Sequence, residues 1–323
     1  MKTSLTIMLL FLSFLWQGCI HTYPDAGAED PTEVEIGVEL SLSLKWDRLL
    51  SYYPGVRGGM SSKRIVVEIS DNGALVSRHE QSVSQEDFEK GFLNFVVPTK
   101  LRTIVYTMAI WLDGDINNSD GSSAFDVSSL SSVSPFFNHG EYIFPEDCGF
   151  AVSTLDFRED RHKLSVRRIV RMELSPPAAR FQFETTDVED FLIYADDAIQ
   201  RGEKYTVSLS YGGQFPTTFN ALEGEPAGYE RMVEVSSPLP ALFSSQTVIC
   251  SDWVFASKDR TELTVTLTIF NSAKMIVSKV RDITFPVERG KTTTIRGDFL
   301  TNFYSNNISV DNLWDDEIIV RIE

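Results

Sequence analysis

Cysteine and histidine are scarce in this chain, with three cysteines and four histidines in 323 residues. His21, His79, His139 and His162 lie far apart, and none takes the His-Glu-x-x-His spacing that places two zinc ligands on one helix face. Gly-x-Ser-x-Gly and Ser-x-x-Lys are missing too, so those serine-nucleophile arrangements are excluded. Basic charge is in deficit: 29 Lys and Arg stand against 46 Asp and Glu, for a net charge of −17. Such a surface repels nucleic-acid phosphates, and no basic stripe relieves it. No catalytic residues, cofactor or enzymatic activity are expected.

Long apolar runs are absent after the first twenty residues. The one such run, Leu5 to Trp16, follows Lys2 and precedes Gly18-Cys19. At about twelve residues it is too short to cross a hydrocarbon core of roughly 30 Å as a helix, and it suits the apolar region of an export signal. Two processing sites compete. Cleavage before Cys19 yields a lipoprotein acylated on that cysteine, the expected lipidation site. Cleavage after Ala28 fits the small-x-small pattern of Ala26-Gly27-Ala28 but leaves His21 to Asp25 as a long polar stretch before the cut. The lipoprotein reading is preferred, although Trp16 stands where lipoproteins usually carry leucine. Several acyl chains on one residue hold a protein stably without a transmembrane helix. Loss of residues 1–18 removes one lysine and no acid, moving the net charge from −17 to −18. Residues 19–32, with Pro24, Gly27 and Pro31, read as a lipidated tether.

What remains has the period of strands. Val34, Ile36, Val38, Leu40, Leu42, Leu44 and Trp46 alternate with polar residues, which marks a strand with one buried face. Leu263, Val265, Leu267 and Ile269 repeat the pattern. Further strands are predicted at 64–70, 92–97, 103–112, 165–173, 179–185, 204–211, 246–255, 273–285, 292–299 and 317–322, rich in Val, Ile, Thr and Phe. Asp71-Asn72-Gly73 is a hairpin turn. Helix is minor. Thr186-x-x-Glu189 resembles a capping box ahead of Val188, Phe191, Leu192, Ala195 and Ile199, with Gly202 as the stop. A shorter helix is predicted from Ser84 to Lys90.

A chain of this length suits two domains. Ser119–Ser134 is a long loop, and Ser175-Pro176-Pro177 is the better boundary because paired prolines break a ladder. The expected organisation is all-β: two antiparallel β-sandwich domains at 33–175 and 176–323, with one or two short helices. Cys148 and Cys250, one in each domain, are expected as free thiols rather than a pair.

Three motifs bear on binding. Gly290-Lys291-Thr292 ends like a phosphate loop, but Phe285 occupies the place of its first glycine, so it reads as a hairpin turn. Asp113, Asp115 and Asn117 put oxygen donors at alternate positions, as a calcium loop does. Asn118 and Ala124 stand where the helix-loop-helix pattern needs Gly and Glu, and an ordinary polar turn explains the segment equally well. Tyr52-Tyr53, Phe136-Phe137 and Trp314 fall in predicted loops, where flat aromatic faces can stack on sugar rings, although aromatics also fill sandwich cores.

Five segments taken in order resemble the fimbrillin-like (type V pilus) surface lipoproteins of Bacteroidales bacteria. They are Arg64-Ile-Val-Val-Glu-Ile69, Tyr106-Thr-Met-Ala-Ile-Trp-Leu-Asp-Gly114, Ala179 to Leu192, Tyr205 to Pro226 with Gly212-Gly-Gln-Phe-Pro216, and Gly290 to Leu300. The resemblance implies transthyretin-like sandwiches, a place at the cell outer membrane, and a role as tip, stalk or anchor of fimbriae. It also implies partners among other fimbrial or surface proteins, joined by strand addition. Stalk subunits of that family lose their first strand by cleavage after an arginine. No arginine lies between Cys19 and Trp46; the first is Arg48. This favours an anchor that keeps its lipid, or a non-polymerising relative. A surface lipoprotein that binds glycans or host ligands is the alternative.

Overall fold

The computed structural model describes residues 33–43, 63–114 less 85, 88, 89 and 91, 124–135, 148–161, 163, 165–242 less 232, 244–301, 308–311 and 317–322. The fold is all-β with a helix, α1 (Val188–Gln200). The signal segment, Cys19, the tether, Trp46, Tyr52, Tyr53, Asp115, Asn117, Phe136, Phe137 and Trp314 lie outside the described residues.

Two sheets build the first half. One has the order β4 (Phe92–Arg102), β1 (Glu33–Ser43), β9 (Ser165–Glu173). The other has β3 (Ala74–Val83), β2 (Lys63–Asp71), β5 (Val105–Gly114), β8 (Gly149–Asp156). Their apolar faces meet in one core that includes Val38, Leu40, Ile65, Ile69, Met108 and Ile110. Asn72 and Gly73 take positive φ, 48° and 83°, at the turn between β2 and β3, as an Asn-Gly hairpin requires.

The second half repeats the plan. A five-stranded sheet runs β15 (Thr247–Phe255), β10 (Ala178–Thr185), β18 (Thr292–Gly297), β20 (Glu317–Ile322), β19 (Ile308–Asp311). It shares a core with a four-stranded sheet of β14 (Glu234–Pro238), β11 (Thr206–Tyr211), β16 (Thr261–Phe270) and β17 (Ile276–Val287). Phe181, Phe183, Phe285 and Phe299 pack edge to face or tilted at its centre, with centroids of contacting rings 5.0 to 6.0 Å apart. Most ladders are antiparallel, but β1 with β9, β10 with β18, and β18 with β20 run parallel.

Three local expectations need correction. The turn at Gly290 is not a hairpin: β17 pairs with β16 and β18 with β10, so the chain crosses from one sheet to the other there. Gly290 takes φ 77°, its N–H donates to Ala178 O at 2.8 Å, and an added Cβ would meet Pro176 Cγ at 3.2 Å. The crossing therefore needs glycine both for φ and for space. The capping box does not form either. Thr186 Oγ1 donates to Asp298 at 2.7 Å, and buried Asp187 turns away from the helix. Its carboxylate accepts from the Leu300 and Thr301 N–H groups at 3.0 and 2.7 Å, pinning the segment after β18. Helix α1 is held instead by burial of Val188, Phe191 and Ala195, spaced for one face. Glu203 N–H to Ala198 O and Gly202 at φ 90° close it.

The Ser-rich stretch is the third. Its described part, 124–135, is no solvated loop: Ala124, Phe125, Leu130 and Val133 are fully buried. It lies over the outer face of β2 and β5 and packs there with Trp111, and with Phe219 and Phe255 from the second half. Phe219 belongs to a two-stranded ribbon, β12 (Phe215–Asn220) and β13 (Glu225–Glu230). Short strands β6 (Phe125–Asp126) and β7 (Ser134–Pro135) pair within the stretch.

Candidate functional site

The most distinctive arrangement is the seat of β1. Alternation puts Val34, Ile36, Val38, Leu40 and Leu42 into the core, each no more than 4% exposed. The strand is hydrogen-bonded along its length on both edges, antiparallel to β4 and parallel to β9. The order β4-β1-β9 leaves β4 and β9 joined only through it. Taking β1 away would open a slot with two unsatisfied edges and an apolar floor. Five such side chains contribute on the order of 10 kcal/mol of gross burial. On the wet face Arg167 of β9 meets Glu39 at 2.7 Å and Lys100 of β4 meets Glu35 at 3.7 Å, exposed pairs that add register more than energy. Gly37 leaves a hollow there of about 650 Å³ between Pro98 and Ser165.

The proposed calcium donors are not seen together. Asp113 is fully buried, and both its oxygens are taken by Arg64, at 2.7 and 3.1 Å in a bidentate pair. Arg64 also donates to Phe125 O at 2.9 Å, so the pair ties the covering stretch to the sheet. Burial pushes the Asp113 carboxyl up, and the guanidinium pulls against it. Asp115 and Asn117 lie outside the described residues, as does the lipidation residue Cys19. Among the described residues no group of three or more His, Cys, Asp or Glu side chains is placed to hold a metal ion. No described helix is long and apolar enough to cross a membrane.

Most described aromatics fill interiors, whereas Tyr194 and Tyr229 are exposed, at 83% and 53%. Trp111, Phe125, Phe219 and Phe255 have no exposed surface beyond 1%. Cys148 is buried and Cys250 partly so, and neither forms a disulfide; burial pushes the Cys250 thiol up.

Two features escaped the sequence. Tyr211 Oη donates to the carboxylate of Asp252 inside the second core, and the Trp253 N–H donates to it at 2.8 Å. Burial still lifts that carboxyl to about 6. The other is a cleft of about 460 Å³ where the two halves meet, bounded by Phe150, Arg171, Glu173, Lys258 and Arg289. Nothing local in sequence marks either, because each joins residues far apart in the chain.

Three solved structures illustrate the likeness of shape. A candidate cell adhesion protein of Bacteroides eggerthii is 13% identical, with 92% of this chain and 100% of that one covered and a TM-score of 0.44. A candidate cell adhesion protein of Parabacteroides distasonis is 10% identical, covering 88% and 95%, also at 0.44. The fimbrial anchor protein Mfa2 of Porphyromonas gingivalis is 11% identical, covering 76% and 82%, again at 0.44. No curated protein matches the sequence. A family model described as a family of unknown function, DUF6562, matches residues 31–323, which takes in the whole of the described fold, and the chain belongs to that family.

Proposed function

We propose that this chain is a membrane-anchored, fimbrillin-like lipoprotein of the cell outer membrane, a structural or anchor component of surface fimbriae that take part in adhesion. The observation that carries the reading is the seat of β1 between β4 and β9. A first strand that is fully paired and buried closes its own slot, so the protein has no vacancy there for a neighbour's strand. The sequence between Cys19 and Ser43 contains no arginine at which that strand could be cut away. Both features suit a subunit that ends a polymer and stays attached by lipid on Cys19. In this reading 33–175 and 176–323 are the two structural units. Strand addition at another edge joins it to its neighbours, with main-chain hydrogen bonds giving affinity and alternate side chains giving specificity.

The test is mass spectrometry of fimbriae purified from the native cell. The reading expects this chain among the fimbrial proteins, with an acylated peptide beginning at Cys19, and its release from membranes by Cys19→Ala. Absence from fimbriae, or a mature N-terminus following Arg48, overturns it.

A further inference from the structure

Arg289 stands in the turn that crosses from β17 to β18, on the wall of the cleft between the two halves. Its main-chain N–H is tied to Ser257 O at 3.0 Å. Its Nη1 donates to Gly224 O, and its guanidinium lies over the Phe150 ring at 4.9 Å. Gly224, at φ 73°, approaches so closely that a Cβ would sit 3.2 Å from Phe150 and 3.8 Å from the guanidinium. The side chain is thus fixed from both sides, and the edge carrying Nε and Nη2 has no hydrogen-bond partner among the described residues.

Three other half-buried arginines of this molecule meet an acid. Arg64 pairs with Asp113, Arg78 with Glu68, and Arg296 with Glu184. Among the described residues Arg289 meets none within ion-pair distance, and neither do Arg171 and Lys258 on the same cleft. Burial disfavours the cation, and Glu225 offsets this only from a distance. A rigid guanidinium with one open edge matches a carboxylate in two-point geometry. Glu223 and Glu225 line the same cleft. They repel a second negative charge but accept hydrogen bonds from hydroxyl groups.

We propose that this cleft binds a singly charged sugar acid, its carboxylate on Arg289 and its hydroxyls on the surrounding glutamates. The site is independent of the seat of β1, so its failure leaves the assembly reading untouched. The experiment is isothermal titration of the mature chain with D-glucuronate, glucose, the uncharged methyl ester of glucuronate, glucose 6-phosphate and glutamate. Saturable binding of glucuronate alone is expected, with affinity reduced about tenfold in Arg289→Gln, the loss of one charge-assisted pair. Arg289→Lys, which keeps the charge but not the fork, falls between them. The ester comparison needs no variant and stands if Arg289→Gln fails to fold. Equal binding of the ester or of glucose, an undiminished affinity in Arg289→Gln, stronger binding of the phosphate, binding of glutamate, or no saturable binding of glucuronate each overturns the proposal.

Discussion

Val133 and Phe219 exchange both main-chain hydrogen bonds, at 2.9 and 2.8 Å, although they are carried by different halves of the molecule. Ala221 N–H adds a third bond to Leu130 O at 2.7 Å, and Phe219 packs on Phe150 with centroids 4.7 Å apart. The halves are therefore joined by core, not by a bare linker. Phe219→Ala should cost about 3–5 kcal/mol. In urea the native chain should unfold in one transition seen equally by fluorescence and circular dichroism, and the variant in two. Coincident transitions in the variant would show that the halves stay coupled without the Phe219 ring.

The seat of β1 predicts a position-dependent response. Leu40→Ala, fully buried, should lose about 2–5 kcal/mol. Glu39→Ala, opposite on the wet face, should lose less than about 1 kcal/mol because its partner Arg167 is mostly exposed. Denaturant midpoints measure both. Similar losses at the two positions would contradict the one-sided burial of the strand.

The Arg64–Asp113 pair makes a third case. Asp113→Asn leaves a half-buried guanidinium with only the more exposed Glu80, 3.5 Å away, and should cost about 3 kcal/mol. Arg64→Met with Asp113→Leu removes both charges and should recover much of that loss. With both carboxylate oxygens engaged, calcium should leave the melting temperature of the native chain unchanged. A rise on adding calcium, absent in Asp113→Asn, would reassign the residue as a ligand.

Asp252 gives the pH dependence. In the unfolded chain its carboxyl titrates near about 3.9; in the fold burial raises it to about 6. Between those values the folded state holds more protons, so this group's stabilisation is whole below the lower value and is lost as pH rises through the upper one. The shift amounts to at most about 3 kcal/mol. Subtracting the stability of Asp252→Asn from that of the native chain, point by point from about pH 4 to about pH 7, should give a curve that falls with pH. A flat difference would mean that Tyr211 and the Trp253 N–H hold the carboxylate ionised throughout.

How far the sequence spoke for the fold depended on burial on one side. β1, β16 and β9 were legible because a buried face writes a period of two, and α1 because Val188, Phe191 and Ala195 write a helical one. β3 was not: Leu75 and Val76 are exposed and Ala74 to Val83 carries little contrast between its faces. β12, β13 and β14 contain Pro216, Pro226 and Pro238, residues that argue against a central strand and are tolerated in these short, peripheral ones. Parallel ladders leave no local mark at all. The cleft at Arg289 was invisible for the same reason, since Gly290-Lys291-Thr292 directs attention to a phosphate and away from the arginine before it.

The parallel ladder between β1 and β9 fixes an order of events. Arg167 and Glu39 meet across 128 residues of sequence. The first of the described strands to be synthesised thus keeps its second edge open until β9 arrives. Pairing over such a span is slow. Through that interval the apolar stripe from Val34 to Leu42 stays half-paired, and a chaperone that shields exposed strand edges would have a clear client there.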